Sequence, residues 1–262
     1  MPKLHQQKRS IPFHDRYVSK IMEYQYLFGP VRSRRLGRSL GIDLVPGNIC
    51  SLNCVYCECG TTTHITVKRG EYASLSRIKQ ELDHYLRIKR DFDYITLGGT
   101  GEPTLHSGIG SILEYLKNRH PEYKRAVLTN STLLHDPAIR DEIKTADLIL
   151  PSLDAVSDDI LQKINRPPSG ITAETMVNGL IALRKEFKGK IWLEIFFIPG
   201  VNTIKEELHL LRDAAVRINP DVIHINSLSR PGAEPWVATL TDDEKKAIQS
   251  FFIEQFKNTQ II

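Results

Sequence analysis

Apolar and polar positions alternate in two distinct periods along this chain. Short apolar runs at residues 40–45, 94–97, 125–128, 148–150, 191–198 and 222–226 read as strands. Between them, Leu75/Ile78/Leu82/Tyr85, Ile109/Ile112/Leu113/Leu116, Met176/Leu180/Leu183/Phe187 and Ile204/Leu208/Leu211/Ala215 recur at three- and four-residue spacing and read as amphipathic helices. Thr203 with Glu206 and Thr241 with Glu244 have capping-box spacing. Six strands alternating with helices predict parallel βα units wound right-handed, with the active face at the strands' C-terminal ends. Successive side chains point to opposite faces of a strand. In 191–197 this puts Ile191, Leu193, Ile195 and Phe197 on the helix side and Trp192, Glu194 and Phe196 on the other. His224 and Asn226 share a face in the last strand, so a polar barrel interior is expected.

At 262 residues and 41% hydrophobic, the chain can bury a large core. It divides most simply into a basic N-terminal extension, 1–21, and one domain, 22–262, with a core barrel at about 40–230 and a C-terminal helix at 241–258. No apolar run reaches the length of a membrane span. The first twenty residues lack the apolar segment of a secretory signal, so a cytoplasmic protein is expected. Net charge is +4, yet residues 1–38 carry nine Lys/Arg against Asp15 and Glu23. Such a surplus is either a solvated tail or a contact for phosphates or nucleic acid.

All four cysteines fall in Cys50-Ser-Leu-Asn-Cys54-Val-Tyr-Cys57-Glu-Cys59. Thiolates this close can converge on one metal centre, whereas a disulfide framework would spread them along the chain. Zinc sites usually recruit a distant second pair of ligands; iron–sulfur clusters are held by cysteine thiolates. Cys50, Cys54 and Cys57 are the candidate ligands, and Tyr56 would pack beside the centre. Cys59 has two open readings: a small buried thiol in its turn, or a hydrogen donor or auxiliary ligand. After the second strand, Leu97-Gly-Gly-Thr-Gly-Glu-Pro-Thr-Leu-His106 is a glycine-rich turn with a carboxylate. Such a turn lets a ligand approach the backbone, and a carboxylate can bind an ammonium.

The C-x3-C-x2-C spacing, with an aromatic before the third cysteine, resembles the signature of the radical S-adenosylmethionine (SAM) superfamily. Four stretches resemble one uncharacterised branch, grouped with the wyosine-type tRNA guanine synthases: residues 28–43, 50–60, 98–105 and 163–167. The resemblance implies a partial (β/α)6 TIM-like barrel and a [4Fe–4S] cluster on Cys50, Cys54 and Cys57, with SAM chelating the open iron. It further implies that Gly99, Thr100, Gly101 and Glu102 hold SAM's amino group. Ser152, Asn130 and Asp154 would meet its ribose or carboxylate, unless they cap the following helices. Glu194 belongs to the fifth-strand motif, and Asn226 lies where the last strand meets adenine. Glu194, His224 and Cys59 are the candidates for catalysis, although a histidine such as His106 or His224 can equally be structural. Arg166 and Arg230 are candidate clamps for an anionic substrate or plain surface guanidiniums.

The implied activity is that of an oxidoreductase or transferase: reductive cleavage of SAM, then hydrogen abstraction from a small-molecule, RNA or protein substrate. Electrons would come from an external flavodoxin- or ferredoxin-type donor. Wyosine-type RNA base modification and glycyl-radical activation are the enzymatic alternatives. Members that modify tRNA use cysteines ahead of the main motif, and this chain has none before Cys50. An iron–sulfur electron-transfer protein or zinc scaffold is the non-enzymatic one.

Overall fold

A computed structural model describes residues 24–88 and 90–262. The expected extension, 1–21, lies outside the described residues. The chain opens with strands β1 (Leu27–Ser33) and β2 (Gly37–Ile42), then the two-residue strands β3 (Ile49–Cys50) and β4 (His64–Ile65). It continues through α1 (Leu75–Tyr85), β5 (Tyr94–Leu97), α2 (Ile109–Arg119), β6 (Lys124–Thr129), α3 (Pro137–Ile143), β7 (Leu148–Pro151) and α4 (Asp158–Ile164). It closes with α5 (Ala173–Glu186), β8 (Lys190–Phe196), α6 (Lys205–Ile218), β9 (Val222–Asn226), α7 (Asp242–Ile253) and β10 (Thr259–Ile261).

Eight strands form one sheet in the order β1-β2-β5-β6-β7-β8-β9-β10. From β2 through β9 every neighbour is parallel, so the six expected βα strands are present in their expected order. Among the described residues nothing pairs β1 with β10, so the barrel is partial. The edges differ from expectation. β1 pairs antiparallel with β2, which starts three residues earlier than its apolar run. The C-terminal helix stops at Ile253, and residues 259–261 instead extend the sheet beside β9. Thr241 and Glu244 form the expected capping box on α7. Thr203 does not cap α6: its Oγ1 accepts from Gly200 N at 2.8 Å, and Ile204 takes the cap position.

The two faces of each strand explain the packing. Ile191, Leu193 and Ile195 pack into the main core with Ile95, Leu97, Val127, Ile149, Ile223, Ile225 and the helices' apolar faces. The interior face is only partly polar. Leu36 from the β1–β2 turn packs with Ala126, Leu148, Leu150 and Trp192, an apolar plug the polar pattern had not suggested. Above it Arg35, Glu194 and Asn226 form a bonded group. Among the described residues no helix is long and apolar enough to cross a membrane.

Candidate active site

The cysteine loop follows β2, at the C-terminal end of the barrel strands, and is fixed before any metal is considered. Cys50 ends β3, which pairs with β4. Asn53 N and Val55 N donate to Asn165 O and Ile164 O, each at 2.9 Å, docking the loop on the end of α4. The Tyr56 ring stacks on Phe196 with centroids 3.8 Å apart, and its hydroxyl donates to Asp154 Oδ2 at 2.5 Å. Cys50, Cys54 and Cys57 are half-buried; Cys59 is exposed, against the reading of a buried turn thiol.

Two side-chain amides reach cysteine sulfurs. Asn130 Nδ2 donates to Cys50 Sγ and Asn165 Nδ2 to Cys54 Sγ, both at 3.3 Å. Burial, reinforced by the Glu102 charge, pushes the Cys50 thiol up to about 12. Burial also raises Cys54, with the Asp154 charge adding to it. The Cys59 thiol donates to the Cys57 sulfur, which pulls Cys57 down to about 6 and holds Cys59 up. A cationic centre would offset the penalty on these two half-buried thiolates.

The glycine turn after β5 closes the other side. Asp43 Oδ2 accepts from Thr100 N at 3.2 Å and Thr100 Oγ1 at 2.9 Å. A Cβ on Gly99 would overlap the Asp43 carboxylate, and one on Gly101 would strike the carbonyl oxygens of Val45 and Ile49. Glycine is required here for close backbone approach. Glu102 is buried and already committed. Its Oε1 accepts from Thr104 N, Thr104 Oγ1 and Thr129 Oγ1, and its Oε2 from Asn130 N at 2.8 Å. A carboxylate offers about four acceptor sites, so only Oε2 has capacity left for an ammonium. Burial holds its pKa above the ordinary value.

The remaining expected site residues divide by what they already bond. Asn130 Oδ1 accepts from Thr132 N at 3.1 Å while its Nδ2 donates to Ser51 Oγ at 2.9 Å, so this residue braces the cysteine loop. Asp154 accepts from Tyr56, from Asn165 Nδ2 at 2.7 Å and from Phe196 N at 2.9 Å. The Ser152 hydroxyl makes no hydrogen bond among the described residues, while its carbonyl accepts from Ser131 Oγ at 2.7 Å. Glu194 is gripped by Arg35 and by Asn226 Nδ2 at 3.1 Å. His224 packs edge-on against Trp192 with Nδ1 buried and unpartnered, and burial holds its pKa down. His106 uses both ring nitrogens, on Ala73 O and Gly108 N, and is structural. Each candidate anion clamp makes an ion pair, Arg166 with Glu234 and Arg230 with Glu58.

Sequence reasoning missed Asn165, Arg35 and Asn202. Residues 163–167 had marked themselves only as part of a motif. Asn202 is buried and donates to Asp154 O and Phe196 O, locking the turn after β8.

The model of the radical SAM superfamily matches residues 44–214, which span this cysteine loop, the glycine turn and the strands β6, β7 and β8 that follow. The chain belongs to the radical SAM superfamily. It is 36% identical over 226 residues to a protein of Brachyspira hyodysenteriae named GTPase Obg, an alignment covering 86% of this chain and 33% of that one. A UPF0026 protein of Synechocystis sp. is 37% identical over 206 residues, covering 78% of this chain and 76% of its own length. The chain thus spans about a third of the Brachyspira relative. Among solved structures, Streptococcus suis SuiB bound to S-adenosylmethionine superposes with a TM-score of 0.61 at 14% identity, over 85% of this chain and 49% of SuiB. That likeness speaks for the fold. The chain therefore carries a radical SAM domain with the family's partial barrel, and the cofactors of that family are a [4Fe–4S] cluster and SAM.

The residues present fit these cofactors. Among the described residues no three Cys, His, Asp or Glu side chains converge tightly enough for a single ion. The glycine cradle and the unpartnered, buried Asn165 Oδ1 add room and an acceptor on either side of the loop.

Proposed function

We propose that Cys50, Cys54 and Cys57 hold a [4Fe–4S] cluster whose open iron takes SAM, and that the enzyme abstracts hydrogen from a substrate held in the barrel. When bound, cluster and nucleotide together supply one-electron cleavage of a carbon–sulfur bond and so a carbon radical able to take a hydrogen atom. The chain positions these groups and keeps water and oxygen from them. Residues 98–101 present backbone to the nucleotide, with Asp43 fixing their shape. Ser152 has a hydroxyl to offer a ribose or carboxylate. Tyr56 and Phe196 form an apolar wall beside the loop. Glu102 serves chiefly as the brace between the glycine turn and the end of β6. We assign the whole activity to one domain, 22–262.

The observation that carries this reading is the pair of fixed amide donors on Cys50 and Cys54, an arrangement suited to metal-bound thiolates and of little use to plain thiols. The wyosine-type resemblance would make the substrate RNA, with Arg32, Arg34, Arg35 and Arg38, in the basic stretch leading into the barrel, as phosphate contacts. Two of those arginines have partners within the fold, Arg34 on Asn226 and Arg35 on Glu194, while Arg38 makes an exposed pair with Asp91. We therefore locate substrate recognition in the barrel interior and not on a basic surface stripe. A flavodoxin- or ferredoxin-type protein is the proposed electron donor.

The test is anaerobic reconstitution followed by dithionite and SAM. Formation of 5′-deoxyadenosine, abolished by Cys54→Ala, supports the proposal. A colourless protein indifferent to SAM rejects it. Salt-sensitive binding to bulk tRNA that weakens when Arg32, Arg34 and Arg38 are neutralised would return the RNA reading.

A further inference from the structure

Residues 163–167, Lys-Ile-Asn-Arg-Pro, do more than end α4. The carbonyls of Ile164 and Asn165 take the amides of Val55 and Asn53. Arg166 leaves the helix at φ 50°, a left-handed conformation that non-glycine residues seldom adopt. Its Nη1 reaches Glu234 at 2.6 Å, and Glu234 N donates back to Val55 O at 2.9 Å. Val55, next to Cys54, is thereby held through both its N–H and its carbonyl.

Inside this clamp the Asn165 side chain is 2% exposed. Its Nδ2 is shared between Cys54 Sγ at 3.3 Å and Asp154 Oδ2 at 2.7 Å. Only this orientation of the amide is tenable, because the reverse would set a carbonyl oxygen against a carboxylate and a sulfur. Asp154 is itself fixed by Tyr56 and Phe196 N, so the amide cannot turn away.

We infer that Asn165 is a positioning residue that sets the reduction potential of the metal centre, by aiming an N–H dipole at the Cys54 sulfur. The inference rests on the reading that Cys54 is a ligand. Reduction adds one electron from an external reductant to the cluster, and no bond to the protein forms or breaks. The added negative charge is shared with the thiolate sulfurs. A fixed N–H donor therefore stabilises the reduced form more than the oxidised one and raises the potential. Asn130 acts in the same sense on Cys50.

The test compares reconstituted wild type with Asn165→Ala by anaerobic redox titration, with iron and sulfide measured in each. The expected result is unchanged iron and sulfide and a midpoint shifted negative by about tenfold in the reduction equilibrium, about 59 mV for one electron. A second readout needs no Asn165 variant. Asn130→Ala, which removes the other side-chain amide on a cysteine sulfur, is labelled with nitrogen-15 asparagine and reduced. Pulsed electron paramagnetic resonance should then show nitrogen-15 coupled to the cluster. A loaded Asn165→Ala with the wild-type potential, or no such coupling, overturns the inference and leaves the ligand reading standing. A wild type that takes up no cluster overturns both.

Discussion

Arg35 reaches from the β1–β2 turn to the middle of β8 and bonds Glu194 twice, Nε to Oε2 and Nη2 to Oε1, the second at 2.7 Å. The side chains are 20% and 14% exposed, so each charge depends on the other. Removing one partner of a buried pair leaves the other desolvated and unpaired. Arg35→Ala should lower the free energy of unfolding by about 2–3 kcal/mol, read by urea denaturation. Arg35→Met combined with Glu194→Gln should recover part of that loss. A single variant as stable as wild type would show the pair to be incidental.

Gly101 sits where the glycine turn passes over the carbonyl oxygens of Val45 and Ile49. Backbone cannot yield as a flexible side chain can, so Gly101→Ala should displace the turn and destabilise the fold by about 2 kcal/mol or more. SAM affinity, measured by calorimetry on reconstituted protein, should fall with it. Asp43→Ala provides the contrast. It frees Thr100 without a collision, and its stability loss should stay near about 1 kcal/mol while SAM binding still weakens. Unaltered SAM binding in both variants would remove the turn from the site.

Asp154 gives a pH dependence with a definite sign. Burial pushes its carboxyl up to about 6, against about 3.9 in an unfolded chain. Between these values the folded protein holds the proton and the unfolded chain does not. Asp154's contribution is therefore full below about pH 4, is lost as pH rises toward about 6, and is level above that. Its share is on the order of 3 kcal/mol. Asp154→Asn cannot ionise, so its unfolding free energy should fall less than that of wild type across this window in metal-free protein. Parallel slopes would contradict the assignment.

Much of this architecture is legible in the sequence, for reasons that also explain what is not. Strands 94–97 and 222–226 are found as expected because their ends coincide with abrupt changes in apolar character. The first barrel strand starts early because Gly37, Arg38 and Ser39 carry no apolar signal, and pairing with β1 recruits them. The helices α3 and α4, seven residues each, are too short to show a period. The cysteine spacing is a local pattern and needs no fold to be noticed. Asn165 is the opposite case. It lies 111 residues from Cys54, and the motif at 163–167 gives it no role until α4 docks on the loop. Arg35 looked like one more member of a basic surface stretch because charge alone does not say which way a turn inserts.

The most direct measurement is Mössbauer spectroscopy of iron-57-reconstituted protein with and without SAM, on wild type, Cys59→Ala and Cys54→Ala. The expected wild-type spectrum is that of a [4Fe–4S] cluster in which one iron of the cube, and no other, changes its parameters when SAM is added. Cys59→Ala should behave the same way, and Cys54→Ala should not hold the cluster. Four equivalent irons indifferent to SAM, or a cluster that survives without Cys54 and fails without Cys59, would contradict the assignment of the three ligands and the open site.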